Sequence, residues 1–512
     1  MPKAVIDIGS NSIKLAIGEI SGNKVEVIEF LKNIVGLGKS AFYKGVISQE
    51  AIQQTVTILR KYKDKLKEYK IAPSEVKVIA TTAIREAGNR DIFIDNVQRK
   101  TDLKVDILDV GTVSYYIESY FAHKLKSKFA ISEETFIIAE LGTGGLDISC
   151  KEKGYTLFNM SLPIGTLRLA SLIGRLGGSL EENMEATADY IDNEFSFLKK
   201  NIRDIKIDDV ILIDENYARL VQNIIKSGSS GENLYKFTSK EIERMIEKLR
   251  DKNFEEISHD YKIPIEIADT ILAYAVVLEN FCSLIKKGHI HIIDISLSEA
   301  VLANMLFDVK LFSELDDMKQ LVSEARFVCR KYGLDIEHPE HVARLSGIMF
   351  EAMKEYLGLK SDDKKYIILA SYLHDIGIFI YNRSHHKHSE YILQYLNFVG
   401  LSEEEQKVIA CVARYHRRAT PQDSHYLYSS LPYDRKILVH KLSAILRITN
   451  ALDATHKQKV KKFEVVVTKD ENFILNVHTN KNFIIEKSEF MLKRDYFREI
   501  TGSDVTLSIK AG

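Results

Sequence analysis

The sequence predicts an α/β protein whose C-terminal third is all-helical, and three observations carry that expectation. Two short apolar strands flank a small polar turn at the N-terminus, and the pattern returns near residue 140. Helical segments alternate with the strand-rich stretches through the first 300 residues. From about residue 306 to 462 the apolar spacing is helical throughout.

Residues 4–8 read as a strand, Gly9-Ser10-Asn11-Ser12 as a turn, and residues 13–17, with a period of two, as a second strand. Residues 136–139, the turn Glu140-Leu141-Gly142-Thr143-Gly144-Gly145 and residues 146–149 repeat that plan, a weak internal duplication. Between them, residues 48–69 carry an apolar stripe at Ile52, Val56 and Leu59, which predicts an amphipathic helix. The polar run 226–231 reads as a loop. Beyond residue 306, Val408, Cys411, Val412 and Tyr415 form one helical stripe, and Leu438, Leu442, Ile445 and Leu452 another. Strands return at 463–467, 473–477 and 505–507, with a helix near 489–500, as a small α/β appendage. The expected domains are 1–125, 126–305, 306–462 and 463–512.

A chain of 512 residues with 45% hydrophobic and 28% charged residues has material for a large core. Its 71 basic and 72 acidic residues give a net charge of −1, so any polyanion site is a local patch and no sequence-specific nucleic-acid partner is indicated. The four cysteines, Cys150, Cys282, Cys329 and Cys411, stand in no paired spacing and read as buried thiols of a reducing compartment. The N-terminus has no leader pattern and no apolar run is long enough for a membrane span; a cytoplasmic protein without a membrane partner is expected.

In the helical region, His374-Asp375 ends an apolar helix, His341 lies on a helix upstream with Val342, Leu345 and Met349, and Asp453 closes the helix 436–452. Imidazole nitrogen and carboxylate oxygen together suit a divalent ion. The order His341, His374-Asp375, Asp453 resembles the HD phosphohydrolase superfamily, whose four motif residues bind metal. His388 and His416 stand where two-metal members keep extra imidazoles; His385 and His386 read as solvated loop histidines, alternatives to His388. The resemblance implies one or two ions, Mg, Mn, Fe or Zn, with paired ions suited to phosphate hydrolysis. Arg414, Arg417 and Arg418 flank His416, and Lys457, Lys459, Lys461 and Lys462 follow Asp453. Arg417 and Arg418 are the expected phosphate contacts, while the lysines equally suit a solvated face.

Turns such as Gly9-Ser10-Asn11 present backbone N–H groups and short polar side chains to a phosphate, and Asp7 before them suits a metal or a water. The longer string from Ala4 to Leu15, AVIDIGSNSIKL, resembles the opening of the Ppx/GppA phosphatases, members of the actin-like ATPase fold. Residues 81–89, TTAIREAGN, resemble their next motif, whose arginine, here Arg85, contacts phosphate; residues 161–169, SLPIGTLRL, resemble a third. Residues 386–393 and 413–418 resemble the helical part of long members. The resemblance covers nearly the whole chain. It implies two actin-like, ribonuclease H-like lobes, an all-α HD domain and the appendage, with a homodimer as the assembly. It also implies a phosphoric anhydride hydrolase acting on polyphosphate or guanosine penta- or tetraphosphate. Ser10, Asn11, Arg85, Gly142, Thr143 and Gly144 are then phosphate ligands, and Glu140 and Asp375 catalytic carboxylates.

Three departures concern the cleft. Val113 stands at the family's catalytic Glu position, with Glu118 near enough to be a substitute; a valine cannot activate water. The family's Asp-Ile-Gly-Gly-Gly-Ser loop is here Glu140-Leu141-Gly142-Thr143-Gly144-Gly145. Where a Gly-Gly-Thr turn is expected the chain has Asp214-Glu215-Asn216, acids that would repel a phosphate. These changes favour the intact HD site as the catalytic centre. The competing reading is a nucleotide- or polyphosphate-sensing regulator whose lobes bind without turnover.

Overall fold

The computed structural model describes residues 2–22, 24–125, 129, 132–176, 180–215, 217–226, 234–250, 252–285, 288–307 and 317–511. Residues 227–231 of the expected loop, and Asn216, lie outside them. The chain divides into two compact units, Met1–Leu315 and Asp316–Gly512.

The first unit is built on two sheets. β1 (Lys3–Ile8), β2 (Ser12–Ser21) and β3 (Lys24–Ile34) form an antiparallel meander, and β4 (Val76–Ala80) and β5 (Val105–Ile107) join β1 in parallel, giving the order β3-β2-β1-β4-β5. In the second sheet, β6 (Thr135–Leu141), β7 (Leu146–Glu152) and β8 (Tyr155–Leu162) repeat the meander. β9 (Asp209–Ile213) and β11 (Ile290–Ile293) extend it in parallel, and β10 (Leu234–Phe237) closes the edge antiparallel to β11. The duplication read from two turns is therefore a repeated topology. β1 is almost fully buried, and its two faces feed different cores: Ala4, Ile6 and Ile8 enter one with Ile52, Val56 and Leu59, while Val5 enters the other. The helix of that apolar stripe, Gln49–Glu68, starts where the Ser48 hydroxyl accepts from the Ala51 N–H, an N-cap. The Tyr62 hydroxyl on the same helix donates to the Ile13 carbonyl at 2.9 Å. The helix Leu297–Phe307 returns to pack on β1 and β2, so the first sheet is completed from the far end of the expected second domain.

The second unit packs the helices Asp317–Lys331, Glu337–Met353, Lys364–Leu373, His385–Gln394, Glu403–Arg414 and Tyr433–Ala451 around one core. In its three-stranded sheet, β12 (Lys462–Val467), β13 (Phe473–His478) and β14 (Val505–Lys510), the helix Ile484–Thr501 connects β13 to its parallel neighbour β14. The appendage does not keep a core of its own: Phe473, Leu475, Phe490, Phe497 and Val505 join Leu438, Leu442 and Ile445 in the helical core. Cys150, Cys329 and Cys411 are buried and all four thiols are free. Among the described residues no helix is long and apolar enough to cross a membrane.

Candidate functional sites

Each hairpin turn of the first unit is bonded to the first turn of a helix, Leu37–Lys44 for the first and Thr166–Leu176 for the second, and both turns line one cavity of about 560 Å³ together with Asp7, Lys14, Arg85, Glu140, Asp147 and Asp214. The structure thus brings Ser10, Asn11, Arg85, Glu140, Gly142, Thr143 and Gly144 to a single concave surface. The turns are fixed by backbone bonds. Gly38 N–H donates to the Ser10 carbonyl at 2.6 Å, and Leu167 and Arg168 N–H both reach the Thr143 carbonyl, at 3.0 and 3.2 Å. Arg168 Nε donates to the Gly144 carbonyl at 2.7 Å, and its guanidinium lies 4.5 Å from the centre of the Phe42 ring. Gly165 lets the second turn lie on the start of the helix Thr166–Leu176: a Cβ there would stand 2.3 Å from the backbone of Gly144 and Gly145. Backbone cannot yield as a side chain does. Gly165→Ala is expected to cost roughly 1–3 kcal/mol of stability, read as a lower urea midpoint at unchanged slope.

Arg85 is held by its Nη1 to the Leu108 carbonyl at 2.8 Å and its Nη2 to Thr82 Oγ1 at 3.3 Å. Those bonds orient the fork toward the cavity while leaving N–H donors for an anion. Asp214 Oδ1 accepts from the Tyr217 N–H at 3.1 Å, and Glu215 does not present a bare charge. Lys14 Nζ stands 2.5 Å from Glu215 and 3.6 Å from Asp7, and Lys32 reaches Glu215 at 3.4 Å, so the expected repulsion is offset by paired cations. Burial resists ionisation of Glu215, but Lys14 and Lys32 outweigh it and hold its pKa low.

Val113 lines the cavity from the helix Val110–Leu125, so that position offers only an apolar wall. Glu118 does not replace it. Five residues further on, it is turned about 140° around the helix, and it is buried against Lys151, 2.6 Å away, with no place in the cavity lining. Of the carboxylates that line the cavity, Asp7, Glu140 and Asp147 each keep a buried oxygen without a hydrogen-bond partner: Asp7 Oδ1, Glu140 Oε2 and Asp147 Oδ1. An all-oxygen donor set of this kind fits a hard divalent cation.

Burial, then the neighbouring Asp147 and Asp7, pushes the Glu140 pKa from 4.5 to about 8. Between those values the folded chain holds a proton that the unfolded chain releases, so this contribution to stability is complete below pH 4.5 and is lost as pH rises through about 8. Glu140→Gln, neutral at every pH, is expected to melt progressively above the wild type as pH rises from 5 to 8; parallel melting curves would refute this.

The second unit holds a different site. His374 caps the helix Lys364–Leu373 and is fully buried; its Nδ1–H donates to the Ser371 carbonyl at 2.8 Å. His416 Nδ1–H donates to the Ala413 carbonyl at 2.6 Å and His385 Nδ1–H to the Asn382 carbonyl at 3.0 Å. His338 Nδ1 lies 2.8 Å from Asp453 Oδ2, which fixes its proton there. All four rings therefore turn Nε2 inward. The Nε2 atoms of His385 and His416 stand 3.2 Å apart, and those of His338 and His374 3.3 Å apart. Asp375 lies among them, with Oδ1 3.0 Å from His385 and 3.6 Å from His416, and Oδ2 3.5 Å from His374 and 3.9 Å from His338.

Two facing imidazole lone pairs repel unless a cation lies between them. Burial pushes the His374 pKa to about 4 and that of His416 well down, so neither readily supplies that charge as a proton. Burial also opposes ionisation of Asp375, but His374, His385 and His416 outweigh it and hold its pKa well below the usual carboxylate range. Imidazoles that spend one nitrogen on a carbonyl or carboxylate and aim the other at a shared carboxylate have the arrangement of metal ligands. The donor set fits Mn, Fe or Zn. His456, stacked on His338 at 3.5 Å between ring centres, joins His338 and Asp375 around a smaller cavity of about 170 Å³.

Three expectations are corrected here. His341 is not in the cluster: its Nδ1 lies 3.4 Å from Arg344, its Nε2 has no hydrogen-bond partner, and His338, one turn earlier, takes the inward place. His388 is likewise outside, and His385, one turn earlier, faces Asp375. Asp453 stands behind His338, bonded also to the Gln458 N–H at 2.7 Å, rather than beside Asp375. Arg414 is tied to Glu390. Arg417 and Arg418 are exposed, and Arg417 lines a shallow hollow with Tyr381 and Arg383.

The Ppx/GppA phosphatase family model matches residues 16–308, and the model for domain III of these phosphatases matches residues 323–493. Over 489 residues the chain is 22% identical to the guanosine-5'-triphosphate,3'-diphosphate pyrophosphatase of Pseudoalteromonas translucida, covering 94% of this chain and 92% of that protein. It is 27% identical over 213 residues to the bifunctional 3-dehydroquinate synthase/phosphatase of Fusobacterium nucleatum, a match to 40% of this chain that spans only 30% of that protein. Among solved structures, an exopolyphosphatase from Cytophaga hutchinsonii superimposes with a TM-score of 0.52 at 22% identity, covering 61% of this chain and all of that one. The Ppx/GppA family member from Aquifex aeolicus gives 0.51 at 23% identity, over 60% of this chain and 98% of that one; at these identities the likeness speaks for the fold. From the first sheet through the helical unit, this chain belongs to the Ppx/GppA phosphatase family.

Proposed function

We propose that this protein hydrolyses phosphoric anhydride bonds in polyphosphate or a guanosine polyphosphate, with the histidine–aspartate cluster of the helical unit as the hydrolytic centre. The cavity of the first unit then binds the phosphate chain. The observation that carries the choice of centre is the pair of facing Nε2 contacts around Asp375, at 3.2 and 3.3 Å, which call for a cation. At the cavity, by contrast, the wall contributed by Val113, which the resemblance aligns with the family's catalytic glutamate, offers no carboxylate to activate water.

His338, His374, Asp375, His385 and His416 would hold one or two divalent ions, with Asp453 orienting His338. When bound, such ions supply positive charge to the attacking and departing oxygens of phosphate hydrolysis and make water easier to deprotonate. The chain's own groups do the rest. The carbonyls of Ser371, Asn382 and Ala413 fix the tautomers of their histidines, and burial keeps the His374 and His416 rings neutral and available as ligands. Exposed Arg383 and Arg417 offer forks to an anionic substrate at the hollow beside the helix His385–Gln394. In the cavity, the two turns and Arg85 bind phosphate oxygens, and Asp7 and Glu140 hold a hard cation that travels with the polyphosphate.

Metal-loaded protein assayed with polyphosphate, guanosine pentaphosphate, guanosine tetraphosphate, cyclic dinucleotides and simple nucleotides tests this reading. Release of phosphate or pyrophosphate from the first three, dependent on added Mn²⁺ or Mg²⁺, is the expected result. Turnover confined to cyclic dinucleotides, or no turnover with any metal, overturns it.

A further inference from the structure

The second sheet carries a cluster that neither site uses. Asp209 begins β9, and His289 and His291 lie at the start of β11, its parallel neighbour. The pairing of Val210 with Ile290 places Asp209 level with His289. Alternation along a strand puts His291 on the same face as His289. Three donors thus project from one face of two adjacent strands.

The distances are those of a ligand set. His291 Nε2 stands 3.0 Å from Asp209 Oδ2, and His289 Nδ1 3.7 Å from Asp209 Oδ1. The donor atoms of all three residues lie within 4.8 Å of one another. With metal–ligand bonds of about 2.0–2.1 Å, tetrahedral ligand atoms stand about 3.4 Å apart. A single Asp–His hydrogen bond accounts for His291 but not for His289, whose ring turns to the same carboxylate at a distance too long for one. The carboxylate is itself fixed, since its Oδ1 accepts from the His289 N–H at 2.6 Å. Behind His291 an aromatic wall closes off one side: Phe129 meets its ring edge-to-face at 4.9 Å, and Phe136 backs Phe129. His291 is buried while His289 is about one-third exposed, so the open side leaves room for a water as a fourth ligand.

We propose that Asp209, His289 and His291 form a zinc-type metal site that pins β9 to β11. Two imidazoles and one carboxylate select Zn²⁺ or a similar transition ion and discriminate against Mg²⁺. The site lies at the opposite end of β9 from Ile213 and Asp214 of the large cavity, roughly 13 Å along the strand. Its role is structural: the ion, bound to the folded chain alone, stabilises the order of the parallel strands that present the cavity.

Zinc titration of the EDTA-stripped full-length chain tests this. The wild type is expected to bind one more Zn²⁺ per chain than His289→Ala, and Asp375→Ala to retain that ion while losing zinc from the helical unit. Zinc should raise the melting temperature of Asp375→Ala, an increase lost when His289→Ala is added. His289→Cys, which restores a donor at the same partly exposed position, should recover it. Equal zinc stoichiometry in wild type and His289→Ala, or a zinc-induced melting shift that survives when His289→Ala is added to Asp375→Ala, overturns the site.

Discussion

Asp375→Ala is expected to lower phosphohydrolase turnover by roughly 10³-fold, about 4 kcal/mol of barrier, while leaving polyphosphate affinity at the cavity nearly unchanged. The size follows from what the carboxylate touches. It is the anion toward which four imidazoles converge, and without it a cation must be held by neutral rings alone. Bound transition metal, measured by elemental analysis, should fall in the same variant. Two neighbouring pairs sharpen the result. His338→Ala and His385→Ala should lose activity with Asp375→Ala, whereas His341→Ala and His388→Ala, one turn away on the same helices, should keep most of it. Activity that survives Asp375→Ala but disappears in Glu140→Ala would return the chemistry to the cavity of the first unit.

Arg85→Ala carries the second large effect, on binding rather than turnover. A hydrogen bond to a charged group contributes roughly 1.5–3 kcal/mol, so losing this fork should weaken polyphosphate binding by roughly 10- to 100-fold. The guanidinium is already positioned by Leu108 and Thr82, so little ordering is required on binding. Calorimetry with a polyphosphate of defined length reads the change directly. Equal affinity in wild type and Arg85→Ala would mean that the turns at residues 9–12 and 142–145 bind no phosphate, or bind it without this residue.

The two centres call for different ions because their donors differ. In the cavity, Asp7, Glu140 and Asp147 offer carboxylate oxygen alone, whereas the helical unit offers nitrogen around a single carboxylate. Mg²⁺ suits the first and a borderline transition ion the second. Glu140, held protonated up to about pH 8 by burial and its acidic neighbours, must release that proton to bind a cation, so cation affinity at the cavity should rise with pH.

Local periodicity was enough to specify the two hairpins, the small polar residues of their turns and the helical texture of residues 306–462. A turn that needs small residues and free N–H groups shows it in consecutive positions. Tertiary structure decided which histidines converge. His338 and His341, and His385 and His388, are three residues apart on their helices, so each pair shares a face and spacing alone cannot choose between its members. The choice fell to the earlier residue of each pair because the N-terminal turn of each helix meets the cluster, an outcome of how the helices pack in a common core. The pairing of Glu215 with Lys14 and Lys32 was hidden for a similar reason. About 200 and 180 residues separate the partners along the chain, and only the meeting of the two sheets brings lysines of β2 and β3 to Glu215, just after β9. The triad on β9 and β11 was hidden likewise, since Asp209 and His291 are 82 residues apart and meet only through a parallel register that no local pattern records.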